Sequence, residues 1–144
     1  EGGWLVQTEE APVIDWEKAK VVTEIAPTED QIASMKFAVR VCEQVKSNAI
    51  VMVQGLATVG IGPGQTSRVE AVKIAARRAG DRGKGCVLAS DAFFPFKDGI
   101  EQSAEAGAAA IVQPGGSIRD QEVIDEANSR GMSMLFTSHR LFRH

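Results

Sequence analysis

Apolar and polar positions along the 144-residue chain follow helical and strand periods in turn, and the second half alternates regularly between them. The first 26 residues carry only short apolar patches, Trp4-Leu5-Val6 and Val21-Val22, which predict an extended lead-in with one or two strands. Ile32, Met35, Val39 and Cys42 then recur at helical spacing, with Ala38, Val41 and Val45 beside them. Thr28 and Gln31 have the spacing of a capping box, so a helix is expected from there to about Lys46. Ala49-Ile50-Val51-Met52-Val53 reads as a buried strand that Gly55-Leu56 turns into a second, over 57–61. Ser67 and Glu70 repeat the capping pattern ahead of a helix over 68–79, stopped by Gly80. A strand over 86–89 follows, then a helix over 99–106 with Asp98 as its cap and Gly107 as its end. The strand 110–113, the loop 114–117, a helix over 120–130 closed by Gly131 and a strand over 132–137 complete the pattern. A short basic, aromatic tail ends it.

Alternating strands and helices imply parallel strands, right-handed crossovers and helices on both faces of one sheet. The hairpin adds an antiparallel element, so the sheet is expected to be mixed, within a single domain over 1–144. In open sheets of this kind ligands bind beyond the carboxyl ends of the strands. Residues 91–98, 114–117 and the tail all follow strands and so fall on that edge together.

Composition narrows the function classes. Hydrophobic residues make up 44% and charged residues 24%, so a real core is affordable in a chain this long. A net charge of −3 argues against a general nucleic-acid binder. Arg77, Arg78, Arg82 and Lys84 cluster at a predicted helix end, where cations complement the dipole and face solvent. Cys42 and Cys86 sit far apart in apolar runs and read as reduced core thiols of a cytoplasmic protein, without a Cys-x-x-Cys zinc pattern. No apolar run reaches ~18 residues, so no membrane span is expected. The chain begins at Glu1 with no evident leader, which suggests a fragment or a processed product.

Candidate chemistry concentrates in the stretch from Ser90 to Gly99, which packs three Phe and two Asp between a strand and a helix. Such a loop is either an aromatic-walled pocket with inward carboxylates or a set of core anchors with Asp caps. Gly60-x-Gly62-x-Gly64 is not a dinucleotide fingerprint, because its third glycine comes one residue early. It is either a plain turn or a backbone anion cradle before a helix, with Gln65, Ser67 and Arg68 adding donors. Asn48 reads as a helix C-terminal cap, Arg140 as a solvated tail cation and His144 as a terminal residue.

These two motifs, with the tail Arg140-Leu141-Phe142-Arg143-His144, match in order and spacing a known family. The whole chain resembles the C-terminal part of AICAR transformylase, from the bifunctional family that also carries IMP cyclohydrolase. The resemblance implies a cytidine-deaminase-like, three-layer α/β/α fold. It implies formyl transfer from 10-formyltetrahydrofolate to AICAR in purine biosynthesis, within a homodimer and together with the rest of the transformylase chain. Arg68, Phe93 and Arg140 would then contact the ribotide, and Pro95, Phe96 and Asp98 the folate. Asn48 and His144 would lie near the reacting centre. Ser47, Asp91 and Leu141 resemble a monovalent-cation site, for potassium. The family's lysine–histidine proton-transfer pair has no counterpart here, since neither His139 nor His144 follows a Lys, so the chain alone is expected to be inactive. The alternative is a non-catalytic module that binds a ribotide or a folate.

Overall fold

The computed structural model describes residues 2–4, 6 and 14–144. The Leu5 position of the first apolar patch lies outside these residues, while Trp4 and Val6 are exposed. Among the described residues the lead-in supplies one short strand, β1 (Lys20–Val21). It is followed by helix α1 (Glu29–Cys42), the hairpin β2 (Ile50–Gln54) and β3 (Ala57–Gly62), and helix α2 (Arg68–Ala79). After a 3-10 turn (Gly80–Gly83) come β4 (Val87–Ser90), α3 (Asp98–Glu105), β5 (Ala110–Gln113), α4 (Asp120–Ser129) and β6 (Ser133–Phe136).

The sheet runs β1-β6-β5-β4-β2-β3. Strands β4, β5 and β6 are parallel, and the hairpin joins β4 through an antiparallel pairing of β2. This is the expected mixed sheet, and its central strands are mostly apolar because both faces are covered, with buried polar residues only at strand ends, Ser90, Gln113 and Ser133. Ile50, Met52, Leu88, Ile111 and Met134 point to the face packed by α2, α3 and α4. Val51, Val53, Val87, Ala89 and Val112 point to the other, against Met35, Ala38, Val39 and Cys42 of α1. Three layers result.

Local sequence explains the helix boundaries. The Thr28 hydroxyl accepts from Gln31 N and the Gln31 side chain accepts from Thr28 N, a complete capping box. Helix α1 ends at Cys42, four residues before Lys46, because the next turn tightens to i→i−3 bonds, Gln44 N to Val41 O and Val45 N to Cys42 O. Asn48 is therefore no helix cap. Helix α3 corrects another expectation. Asp98 is its first residue and not its cap; Lys97 occupies the capping position without a side-chain bond, and Asp98 Oδ1 accepts from the adjacent Gly99 N at 2.8 Å.

The glycine motif also plays a different part. Gly60 and Gly62 lie within β3, where a Cβ would come 2.1 Å from Ala75 O and 1.9 Å from Ala71 O. They are needed so that α2 can lie directly on the strand, and they do not cradle an anion. The basic cluster is exposed, as expected, and two of its members also bond backbone carbonyls. Arg78 Nη1 donates to Ile61 O at 2.7 Å and Arg82 Nη2 to Val59 O at 3.3 Å. Both carbonyls belong to the edge strand β3, so two guanidinium groups cover its open rim. Arg82 also donates to Arg78 O and Ala79 O at the end of α2.

Candidate functional site: a cleft at the strand ends

The carboxyl ends of β4, β5 and β6 share one rim, and the antiparallel hairpin brings the start of β2 and the end of β3 to it as well. A cleft of about 500 Å³ opens there. It is lined by Asn48 before β2, by 66–69 at the start of α2, by residues of the 91–98 loop and by Arg140 and Phe142 of the tail. Arg68, Phe93, Pro95, Phe96, Asp98, Arg140 and Asn48 thus meet around one space.

The floor is a buried polar network. Arg68, 8% exposed, donates through Nη1 to Ser90 Oγ at 2.9 Å and to Asp91 Oδ1 at 2.5 Å. Its Nη2 donates to Asn48 Oδ1 at 2.8 Å. Of five guanidinium hydrogens, Nε–H and one on Nη2 remain for a ligand. Asn48 Nδ2 donates to Thr66 O at 3.3 Å, which leaves one amide hydrogen for an incoming oxygen. Asp91 is fully buried, and its Oδ2 is the one buried side-chain oxygen or nitrogen among the described residues without a partner.

Above this floor the walls are aromatic. The Arg140 guanidinium lies 5.2 Å over the Phe93 ring, and Arg119 lies 5.0 Å over Phe96. Stacking of this kind leaves the N–H edges of Arg140 free to face an anion. Asp98 is exposed at the opposite side and spends one lone pair on Gly99 N, so its carboxylate keeps acceptors for a pair of N–H donors.

The anion-favouring backbone sits beyond the glycines. Gly64 N and Gln65 N are already bonded to Lys46 O and Asn48 O. Ser67 caps α2 by accepting from Glu70 N at 3.5 Å. The Arg68 and Val69 N–H groups, in the first turn, have no intrahelical acceptor and stand at the positive end of the helix dipole, beside the cleft. Thr66, Val69, Ala92 and Phe142 complete the lining. Ala92 and Phe142 belong to segments the sequence singles out, whereas Val69 is an ordinary helix residue that only the fold brings to the rim.

His144 does not line the cleft; its ring lies 6.0 Å from that of Phe142. Of Ser47 and Leu141, only Leu141 is bonded directly to Asp91. Leu141 N donates to Asp91 O at 2.8 Å, and Ser47 exchanges bonds with Arg143, its Oγ accepting from Arg143 N at 2.8 Å. The unpartnered Asp91 Oδ2 suits a cation or a water, while Oδ1 is already neutralised by Arg68. The Ser47–Asn48 peptide is cis. Both cysteines are buried and free. Burial pushes the Cys86 thiol up to about 12, and burial together with the Asp91 charge raises Cys42 further above its ordinary value.

Comparison with known proteins matches this chain to relatives along its whole length. The family model for the AICARFT/IMPCHase bienzyme covers residues 1–78. The bifunctional purine biosynthesis protein PurH of Chelativorans sp. (strain BNC1) is 55% identical over 99% of this chain. Those of Anoxybacillus flavithermus and Acetivibrio thermocellus are 54% and 52% identical over the same share. The chain spans 28% of the length of each of these relatives. Among solved structures, Acinetobacter baumannii RibD superposes with a TM-score of 0.50 at 13% identity, over 74% of this chain and 34% of that one. That likeness concerns the fold alone, and it agrees with a cytidine-deaminase-like α/β sandwich. With more than half the chain matched by the family model, the protein belongs to the AICARFT/IMPCHase bienzyme family.

Proposed function

We propose that this chain forms the ligand-binding part of an AICAR transformylase, in which a formyl group passes from 10-formyltetrahydrofolate to the amine of AICAR during purine biosynthesis. One observation carries the reading: Arg68, Phe93, Asp98 and Arg140, from four distant segments, surround a single cleft. Arg140 and the start of α2 receive the ribotide phosphate, since a guanidinium fork and free helix N–H groups both favour a multivalent anion. Phe93 supports the base. Pro95 and Phe96 flank the folate ring, and Asp98 accepts from its paired N–H donors. The amine is a weak nucleophile because its lone pair is delocalised, so transfer needs a base and stabilisation of the developing oxyanion. The remaining Asn48 amide hydrogen suits that oxygen, and His144, which neighbours the cleft residue Phe142, is assigned to the same centre. These 144 residues hold no lysine–histidine pair, so this stretch binds and orients while proton transfer comes from elsewhere in the family protein.

The same reading includes a monovalent cation such as potassium, held structurally by Asp91 with Ser47 and Leu141. It also includes a homodimer in which the partner and the rest of the transformylase chain close the cleft, as supported by the exposed Phe96 and Phe142 at its mouth. We place the protein in the cytoplasm. Among the described residues no helix is long and apolar enough to cross a membrane.

Calorimetry of this chain with AICAR and with 10-formyltetrahydrofolate tests the proposal. Binding of both, with turnover on adding the remainder of a family protein, is expected. Binding without any rescue of turnover would favour a non-catalytic module, and binding of neither ligand would overturn the reading.

A further inference from the structure

Gln113 ends β5 and is 1% exposed, on the sheet face occupied by Ile111, Met134 and Phe94. Burying a primary amide among apolar side chains is costly unless its polar atoms are used. Its Oε1 accepts from Phe94 N at 3.0 Å, while its Nε2 finds only the thioether of Met134, at 3.3 Å. A leucine or methionine would fill the same space with no amide to satisfy, so the bond to Phe94 N is what the glutamine adds.

That bond sits at the turning point of the cleft wall. After β4 the loop alternates: Phe93 lines the cleft, Phe94 is fully buried, and Pro95 lines the cleft again. The Phe94 ring is held from the other side by Gly99, where a Cβ would stand 2.3 Å from it. The Phe94 N–H faces into the protein, and among the described residues Gln113 supplies its acceptor.

We propose that Gln113 is a positioning residue for the cleft: by fixing the Phe94 peptide from inside, it sets the outward angle of Phe93 and Pro95, and with them both halves of the ligand site. The ligand arm of this inference rests on the function proposed above; the loop arm does not.

The experiment compares Gln113→Met, which keeps the volume and removes the acceptor, with Gln113→Glu, which keeps an Oε acceptor in place. Hydrogen–deuterium exchange across 92–97 is read alongside calorimetry with AICAR and 10-formyltetrahydrofolate, at a temperature where every variant is folded. Gln113→Met is expected to speed exchange in 92–97 while sparing 87–90 and 110–112. It should weaken both ligands about five- to ten-fold, the size of one lost hydrogen bond. Gln113→Glu should restore protection and affinity together. A residue that only fills the core would lower stability in both variants alike and leave the loop's relative protection unchanged, and that result overturns the proposal. If Gln113→Met does not fold, Gln113→Asn, whose carbonyl is withdrawn by one methylene, serves the same comparison. Should the parent bind neither ligand, the proposed function falls while the exchange data still decide whether Gln113 holds the loop.

Discussion

Replacing Arg68 with Met removes the only counter-charge among the described residues within bonding distance of Asp91. The loss can be followed atom by atom. Ser90 Oγ keeps its own donation to Ala92 O at 2.7 Å, and Asn48 is half-buried at the cleft, so water can replace the guanidinium there. Asp91 has no such recourse. It is fully buried, its Oδ2 already lacks a partner, and Oδ1 would lose its partner too. Leaving a buried carboxylate uncompensated costs about 3–5 kcal/mol. For a chain of this length that lowers the melting temperature by about 10–17 °C. Replacing both residues, Arg68→Met with Asp91→Leu, leaves no charge to bury and should recover most of the loss, giving a coupling of about 2 kcal/mol or more. Urea unfolding of the parent, both single variants and the double variant measures every corner of the cycle. If Arg68→Met costs under ~1 kcal/mol, as an exposed pair would, or if the double variant is no better than the single, the pair does not hold the cleft floor together.

Three further outcomes are expected. Arg140→Ala should weaken AICAR by about 1.5–3 kcal/mol, the value of a charge-assisted contact, while Asp98→Asn should weaken the folate more than the ribotide; calorimetry showing the reverse order would exchange the two halves of the cleft. Because folding raises both thiols, their contribution is whole below the ordinary cysteine value and is lost as pH rises from near 9.0 toward about 12 for Cys86. Stability should therefore fall at alkaline pH by up to about 1.4 kcal/mol per pH unit for each thiol, and Cys86→Ala with Cys42→Ala should flatten that fall in denaturant titrations. Finally, Arg78→Gln with Arg82→Gln uncovers the rim of β3, and sedimentation should show association beyond that of the parent; an unchanged profile would mean that the arginines do not guard the strand.

Much of this architecture was readable before any coordinates, because its signals are local. The Thr28–Gln31 box, the Gly55-Leu56 hairpin and the apolar runs at 50–53, 87–89 and 110–112 each act within a few residues. The errors arose where a local rule met a distant neighbour. Asp98 looked like a cap, but Lys97 enters the helical conformation one residue sooner. Gly60 and Gly62 read as either a turn or an anion cradle, but they lie in a strand and the backbone of α2 occupies the place of their side chains. The arginine cluster is exposed as expected, but its spacing carries no sign that two members also reach strand carbonyls 17 and 23 residues away. The cleft itself was anticipated from strand order, which places several loops on one edge. Its floor was not, since nothing in the spacing of Asn48, Arg68 and Asp91 marks them as mutual partners.

The hairpin running against β4 has an effect on how the chain tolerates change. Its own turn, at Gly55-Leu56, lies at the end of the sheet remote from the rim, as do the connections entering β4, β5 and β6. The connections into β4 and β5 are bonded to each other, Gly85 N to Gly107 O, but the exposed Gly55-Leu56 turn can lengthen or accept an inserted tag while the ligand-facing connections keep their places. That turn is thus free to diversify, and the opposite rim is held to its geometry.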